Sequence, residues 1–135
     1  MIILNIRSGL SDVFHTWTDF ADFSEQHGIP IIYIWERGHR RCGEFQRYFS
    51  GLEYLDLHNI ELTREDNLDL KVDVVFDSWA SGDWKPLSGS IEKFCTLENA
   101  KQNTILIRTA MKGAFFDSTK RTGNLLKKIK PSEYI

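Results

Sequence analysis

Two stretches of the chain hold residue types that could bind a ligand or move a proton. The first, Arg7-Ser-Gly-Leu-Ser-Asp12, links an apolar strand pattern to the start of an amphipathic helix. A glycine turn at such a junction offers exposed backbone N–H groups, which suit a phosphate, a carboxylate or a sugar hydroxyl. Gly9, Ser11 and Asp12 are the candidates there. His15, on the polar side of the first helical turn, adds an imidazole able to act as a base or to hydrogen-bond a ligand. The turn lacks the further glycines of a dinucleotide fingerprint and the lysine of a P-loop, so a plain strand-to-helix turn is the alternative reading.

The second stretch is Trp35-Glu-Arg-Gly-His-Arg-Arg-Cys42, directly after another apolar strand pattern. Arg37, Arg40 and Arg41 can grip phosphate or carboxylate in a bidentate way, and Trp35 or His39 can stack on a sugar or base. The same charges also suit a solvated loop in which they pair with Glu36 and Glu44. Cys42 lies beside two arginines that favour its thiolate; a buried, inert cysteine is the alternative.

The remaining candidates are isolated. His27, His39 and His58 show no HxH or HExxH spacing, so no metal site is expected. Asp73 and Asp77 flank an apolar strand core, either as paired carboxylates at its ends or as edge residues on a solvent face. Trp79 and Trp84 stand among Ser78, Ser81, Gly82 and Asp83, a mixture found in carbohydrate-contacting loops and equally in rings packed onto a core. Lys120, Lys127, Lys128 and Lys130 form a solvated cationic face, with no aromatic interleaving to suggest nucleic-acid binding.

These residues need elements to position them. From Ser11 to Gln26 the apolar side chains of Val13, Phe14, Trp17, Phe20 and Ala21 recur at helical spacing, with Asp12, His15, Asp19 and Asp22 elsewhere on the cylinder. Ser11 is the expected cap, Gly28 the expected left-handed terminus, and Pro30 blocks continuation. Ile2 to Ile6 and Ile31 to Trp35 are apolar on both alternating sets of positions, which predicts parallel strands covered on both faces. Strand, helix, strand then forms a crossover unit, with both chemical stretches at the carboxyl rim where open α/β sheets bind ligands. Short strands are expected at Tyr54 to Leu57, Val72 to Phe76 and Thr104 to Arg108. Short helices are expected at Cys42 to Phe49 and Leu125 to Ile129, and a loop at Thr63 to Asn67.

At 135 residues the chain has the size of one domain, and its 41% hydrophobic and 27% charged residues are those of an ordinary globular protein. A net charge of −2 gives no general attraction to nucleic acid or to an anionic membrane. Ile29 to Trp35, the longest apolar run, is too short to cross a bilayer, and no targeting segment is visible after Met1. Two cysteines, Cys42 and Cys95, are too few for a disulfide framework, so a reducing cytoplasm is the expected location.

Read in order, these parts resemble the amino-terminal domain of the fucosyltransferase-like superfamily of two-domain glycosyltransferases, which includes nodulation fucosyltransferases and protein O-fucosyltransferases. Ser8-Gly-Leu-Ser-Asp12 is similar to that family's glycine turn after the first strand. The amphipathic helix, His27-Gly28, the strand ending at Trp35, and Cys42 with Phe45 and Tyr48-Phe49 follow in the same order. The strand Ile105 to Arg108 and then Leu125-Leu-Lys-Lys-Ile-Lys-Pro-Ser132 resemble the Leu-x-Pro-Ser stretch that precedes the donor domain. Leu57 to Asn103 contributes almost nothing to the likeness. Ser11 departs from it, standing where the family usually has glycine. The family's arginine-bearing diphosphate motif comes after the Leu-x-Pro-Ser stretch; Arg108 precedes it without a neighbouring histidine and does not inherit the catalytic role.

The resemblance implies a Rossmann-like three-layer α/β domain with a mainly parallel sheet, residues 1–135, forming one half of a GT-B-like architecture without its donor-binding domain. It further implies an acceptor-side wall for sugar transfer from a nucleotide diphosphate sugar, with no metal or cofactor, incomplete as an enzyme by itself. Two other readings stand beside it. One is a module that binds a small anionic or phosphorylated ligand between Ser8-Asp12 and Arg37-Arg41. The other is an interaction domain that self-associates or docks a partner chain through an exposed aromatic surface.

Overall fold

A computed structural model describes residues 1–7, 9–36, 44–60, 65, 68–77, 97–109 and 120–132. The chain begins with β1 (Ile2–Ile6), α1 (Leu10–His27) and β2 (Ile31–Ile34). It continues through α2 (Phe45–Tyr48), β3 (Phe49–Ser50), β4 (Asp56–His58) and β5 (Val74–Asp77). The last elements are α3 (Leu97–Gln102), β6 (Ile105–Thr109), α4 (Asn124–Lys128) and β7 (Lys130–Pro131).

Five strands form one sheet in the order β4-β2-β1-β6-β5, and every neighbouring pair is parallel. The protein is therefore an α/β domain of Rossmann-like type. Every residue of β1 and β2 is buried, as the continuous apolar runs predict for strands covered on both faces. From β1 the chain first works outward through β2 to β4, then moves to the opposite edge as β5 and returns beside β1 as β6. The direction of winding thus reverses between β1 and β6, which makes their carboxyl ends the switch point of the sheet.

Alternation divides the strand residues between two cores. Ile2, Leu4, Ile6, Ile31, Tyr33, Ile105 and Ile107 face α1, where they meet Val13, Trp17, Phe20, Ala100 and Leu125. Ile3, Ile32, Ile34 and Leu106 face the other way and are covered by Met1, Ile60, Leu68 and Val72, none of them in a helix. The expected helix at α1 is present and two residues longer than its apolar pattern. Gly28 ends it at φ 68°, with its N–H on the Ser24 carbonyl at 2.8 Å. The cap differs from expectation: Gly9, which has no side chain to cap with, occupies it, because Ser11 already lies within the first turn.

Other expectations shift by a few residues. β4 and β5 begin two residues later than the apolar patterns at Tyr54 and Val72, and α2 shrinks to a single turn. Neither α3 nor the small antiparallel pair β3–β7 was legible beforehand; the pair sets Phe49 opposite Pro131 and Ser50 opposite Lys130. The carboxyl-terminal segment is tied down by Asp22, which is only 2% exposed and accepts from the Thr122 N–H at 2.8 Å and from its hydroxyl. Ser132 donates its backbone N–H to the Tyr48 carbonyl at 2.8 Å, extending the β3–β7 contact.

Candidate ligand-binding rim

Gly9, Ser11, Asp12 and His15 are brought together at the start of α1, directly beyond the carboxyl end of β1. Ser11 and His15 are exposed, one helical turn apart, and Asp12 is half-buried beside them. Gly9 is extended, with φ −62° and ψ 159°, a conformation open to any residue. A Cβ built on it meets nothing within 4 Å among the described residues. Neither backbone strain nor crowding by the described residues therefore demands glycine here, and no described residue fills the space beside it.

Trp35 is placed differently from the ligand-stacking role considered above. It is 3% exposed and continues the inward alternation of β2, one position beyond the strand's end. Its ring lies 5.3 Å from Phe45, 6.3 Å from Trp17 and 6.3 Å from Phe49, mostly edge to face. Trp35 is thus part of the core that anchors the rim. Arg37, Arg40 and Arg41, with His39 and Cys42, lie outside the described residues, as do Trp79, Trp84 and Cys95.

The same rim carries a polar group that no local pattern announced. Asn5, Arg108 and Asp77 are register partners across β1, β6 and β5, so all three side chains project from the sheet face opposite α1. Asn5, wholly buried, donates through Nδ2 to Glu36 Oε1 at 2.7 Å and also to Glu65 Oε1. Arg108 donates from Nε to Glu65 Oε2 at 2.6 Å and from Nη1 to Asp77 Oδ2 at 3.1 Å. Arg7 Nη2 stands 4.0 Å from Glu36 Oε2. The Glu65 hydrogen bond is the main influence holding the Arg108 guanidinium above its already high ordinary pKa, against some desolvation.

Beside this cluster a pocket of about 330 Å3 opens, with apolar walls from Ile3, Leu68, Leu70, Val72 and Leu106 and a polar end at Glu65 and Arg108. The rim thus combines amide N–H groups, hydroxyl and imidazole at α1 with carboxylate, amide and guanidinium groups on the second face. Interleaved donors and acceptors of this kind match a polyhydroxylated ligand. The cluster has one more carboxylate than guanidinium, so its own balance does not favour an anion.

Asp73 and Asp77 are not partners of one another. Asp73 Oδ2 accepts from the Thr104 N–H at 2.8 Å, while Asp77 faces Arg108. Among the described residues no group of three or more His, Cys, Asp or Glu side chains is disposed to hold a metal ion, and no helix is long and apolar enough to cross a membrane. No family model matches the chain, and neither does any curated protein or any solved structure.

Proposed function

We propose that the carboxyl rim is the acceptor-side wall of a sugar-transfer cleft of the fucosyltransferase-like kind, and that its ligand is a glycan. The observation that carries this reading is Gly9. It stands at the switch point, as the cap position of α1 without a side chain, in a conformation and a space that the described residues do not reserve for glycine. Close approach of a ligand to the backbone supplies the missing reason. Glu65, Arg108 and Asp77, which keep some exposure, give the same edge donors and acceptors suited to sugar hydroxyls, and the buried Asn5–Glu36 pair holds them from behind.

Transfer from a nucleotide diphosphate sugar also needs cations free to neutralise the leaving diphosphate. Arg7 and Arg108 both face carboxylates, so this wall binds and orients an acceptor and relies on a second wall for chemistry. The anion-module alternative rests on Arg37, Arg40 and Arg41 and draws no support from the described cluster.

Gly9→Ser tests the reading without disturbing the fold, because serine is a good helix cap and its side chain has room. The new hydroxyl occupies the amides that the glycan needs. Calorimetric titration with a panel of free oligosaccharides should show saturable binding to the native protein, weakened in Gly9→Ser while thermal stability is kept. Equal affinity in the two proteins, or binding of inorganic phosphate in preference to every oligosaccharide, contradicts the proposal.

A further inference from the structure

Sugar hydroxyls need no apolar pocket, yet one opens directly beside the Glu65–Arg108 pair. Ile3 and Leu106 are register partners, two residues back from Asn5 and Arg108 along β1 and β6, so they form its floor on the sheet face opposite α1. Leu68, Leu70 and Val72 wall it; Leu68 and Val72 are half-buried and Leu70 is 39% exposed. The Leu68 N–H donates to the Glu65 carbonyl at 2.9 Å, and the Leu70 N–H to the Leu68 carbonyl at 2.8 Å. The polar end and the apolar wall are thus fixed to one another.

A concave apolar surface bounded at one end by a few convergent polar groups is the usual form of a small-molecule site. Its volume, about 330 Å3, is roughly twice that of a cavity that takes up benzene, which sets the occupant at a fused or substituted ring or a short branched chain. The polar end decides what that occupant is attached to. Arg108 donates to both Glu65 and Asp77, whose carboxylates outnumber it, so a carboxylate or phosphate head gains nothing there. Neutral hydroxyls suit it, because the carboxylate oxygens keep lone pairs to accept from them and the Arg108 and Asp77 side chains stay 30% and 26% exposed.

We propose that the glycan held at the rim carries an apolar aglycone, an aryl or short branched alkyl group, that fills this pocket. The first sugar lies over Glu65 and Arg108, and the aglycone runs down the second face against Leu106, Ile3 and Leu70. The inference rests on the glycan reading and adds the acceptor's class to it, a glycoside with an apolar group at its reducing end.

The 2-naphthyl and methyl β-glycosides of glucose, galactose and N-acetylglucosamine, with 2-naphthol as the sugar-free control, serve as probes in amide-shift titrations of the native chain. In at least one pair the naphthyl glycoside should bind about tenfold more tightly than the methyl glycoside, and should move the amides of Ile3, Leu70, Val72 and Leu106 in addition to that of Gly9. Leu70→Ser, a change at an exposed wall, should lower the naphthyl glycoside's affinity about fivefold and leave the methyl glycoside's unchanged. Equal affinity within every pair, naphthyl shifts that bypass the pocket, 2-naphthol binding as tightly as its glycosides, or an unchanged affinity in Leu70→Ser overturns the inference. Oligosaccharide shifts at Gly9 to His15 in the same protein show that the glycan reading survives such a failure; their absence overturns both.

Discussion

Arg108 holds the second face of the rim together through geometry that only a guanidinium supplies. Its Nε and Nη1 reach Glu65 and Asp77 in different directions, and Glu65 in turn accepts from buried Asn5. Lysine is a single point of charge and cannot span both carboxylates. Arg108→Lys should therefore cost about 1–2 kcal/mol, as judged by urea unfolding, because one carboxylate loses its charged donor while the other keeps it. At Trp35 the expected loss is larger. Its ring is enclosed by Trp17, Phe45 and Phe49, and Trp35→Ala should destabilise the fold by about 3–5 kcal/mol in the same measurement. An exposed ligand-stacking tryptophan would instead tolerate that change with little loss of stability.

These two residues also mark how far the sequence could be read. Trp35 follows an apolar strand at the position where a rim residue is expected, but the inward alternation of β2 carries one step past the strand, and the ring is drawn into the core. Asn5, Glu36, Glu65 and Arg108 come from four separate stretches and meet only through the order and register of parallel strands, which no local spacing encodes. Gly9, Ser11, Asp12 and His15 were legible because one turn and one helix bring them together.

Among the elements, β1, α1 and β2 follow from sequence because strong apolar periodicity and a glycine–proline stop leave few alternatives. The β3–β7 pair was hidden because two residues on each side make no pattern. Its geometry nevertheless imposes a strict demand at Gly51, whose φ is 94° and where an added Cβ would lie 1.8 Å from the Lys128 carbonyl oxygen. Gly51→Ala should consequently cost more than about 2 kcal/mol and loosen α4 and β7 from β3. Amide hydrogen exchange checks this: protection should fall at Ile129 and Ser132, whose N–H groups are bonded to Leu125 and Tyr48, before it falls in β1.

For the whole molecule, the buried phenol of Tyr33 ties folding to alkaline pH. Burial, reinforced by the charges of Tyr54, Glu25 and Asp22, holds its ionisation far above the ordinary value of 10.0. Tyr54 is raised also, chiefly by burial. Because the folded state keeps the proton more tightly than the unfolded chain, the stabilisation is fully present below pH 10 and declines as pH rises beyond it. Phenolate absorbance from Tyr33 should accordingly appear together with the loss of near-ultraviolet circular dichroism. Tyr33→Phe should keep its stability to higher pH than the native protein.

The carboxyl rim of the parallel sheet thus carries interleaved donors and acceptors beside an open helix start. The most direct test of the rim is amide-shift mapping of the native chain during titration with free oligosaccharides and, separately, with inorganic phosphate. The account predicts saturable shifts with an oligosaccharide at Gly9, Ser11, Asp12 and His15, extending to Asn5 and Glu36, with Tyr33 and Asp56 unmoved. Shifts produced by phosphate alone, or oligosaccharide shifts that bypass the start of α1, would contradict it.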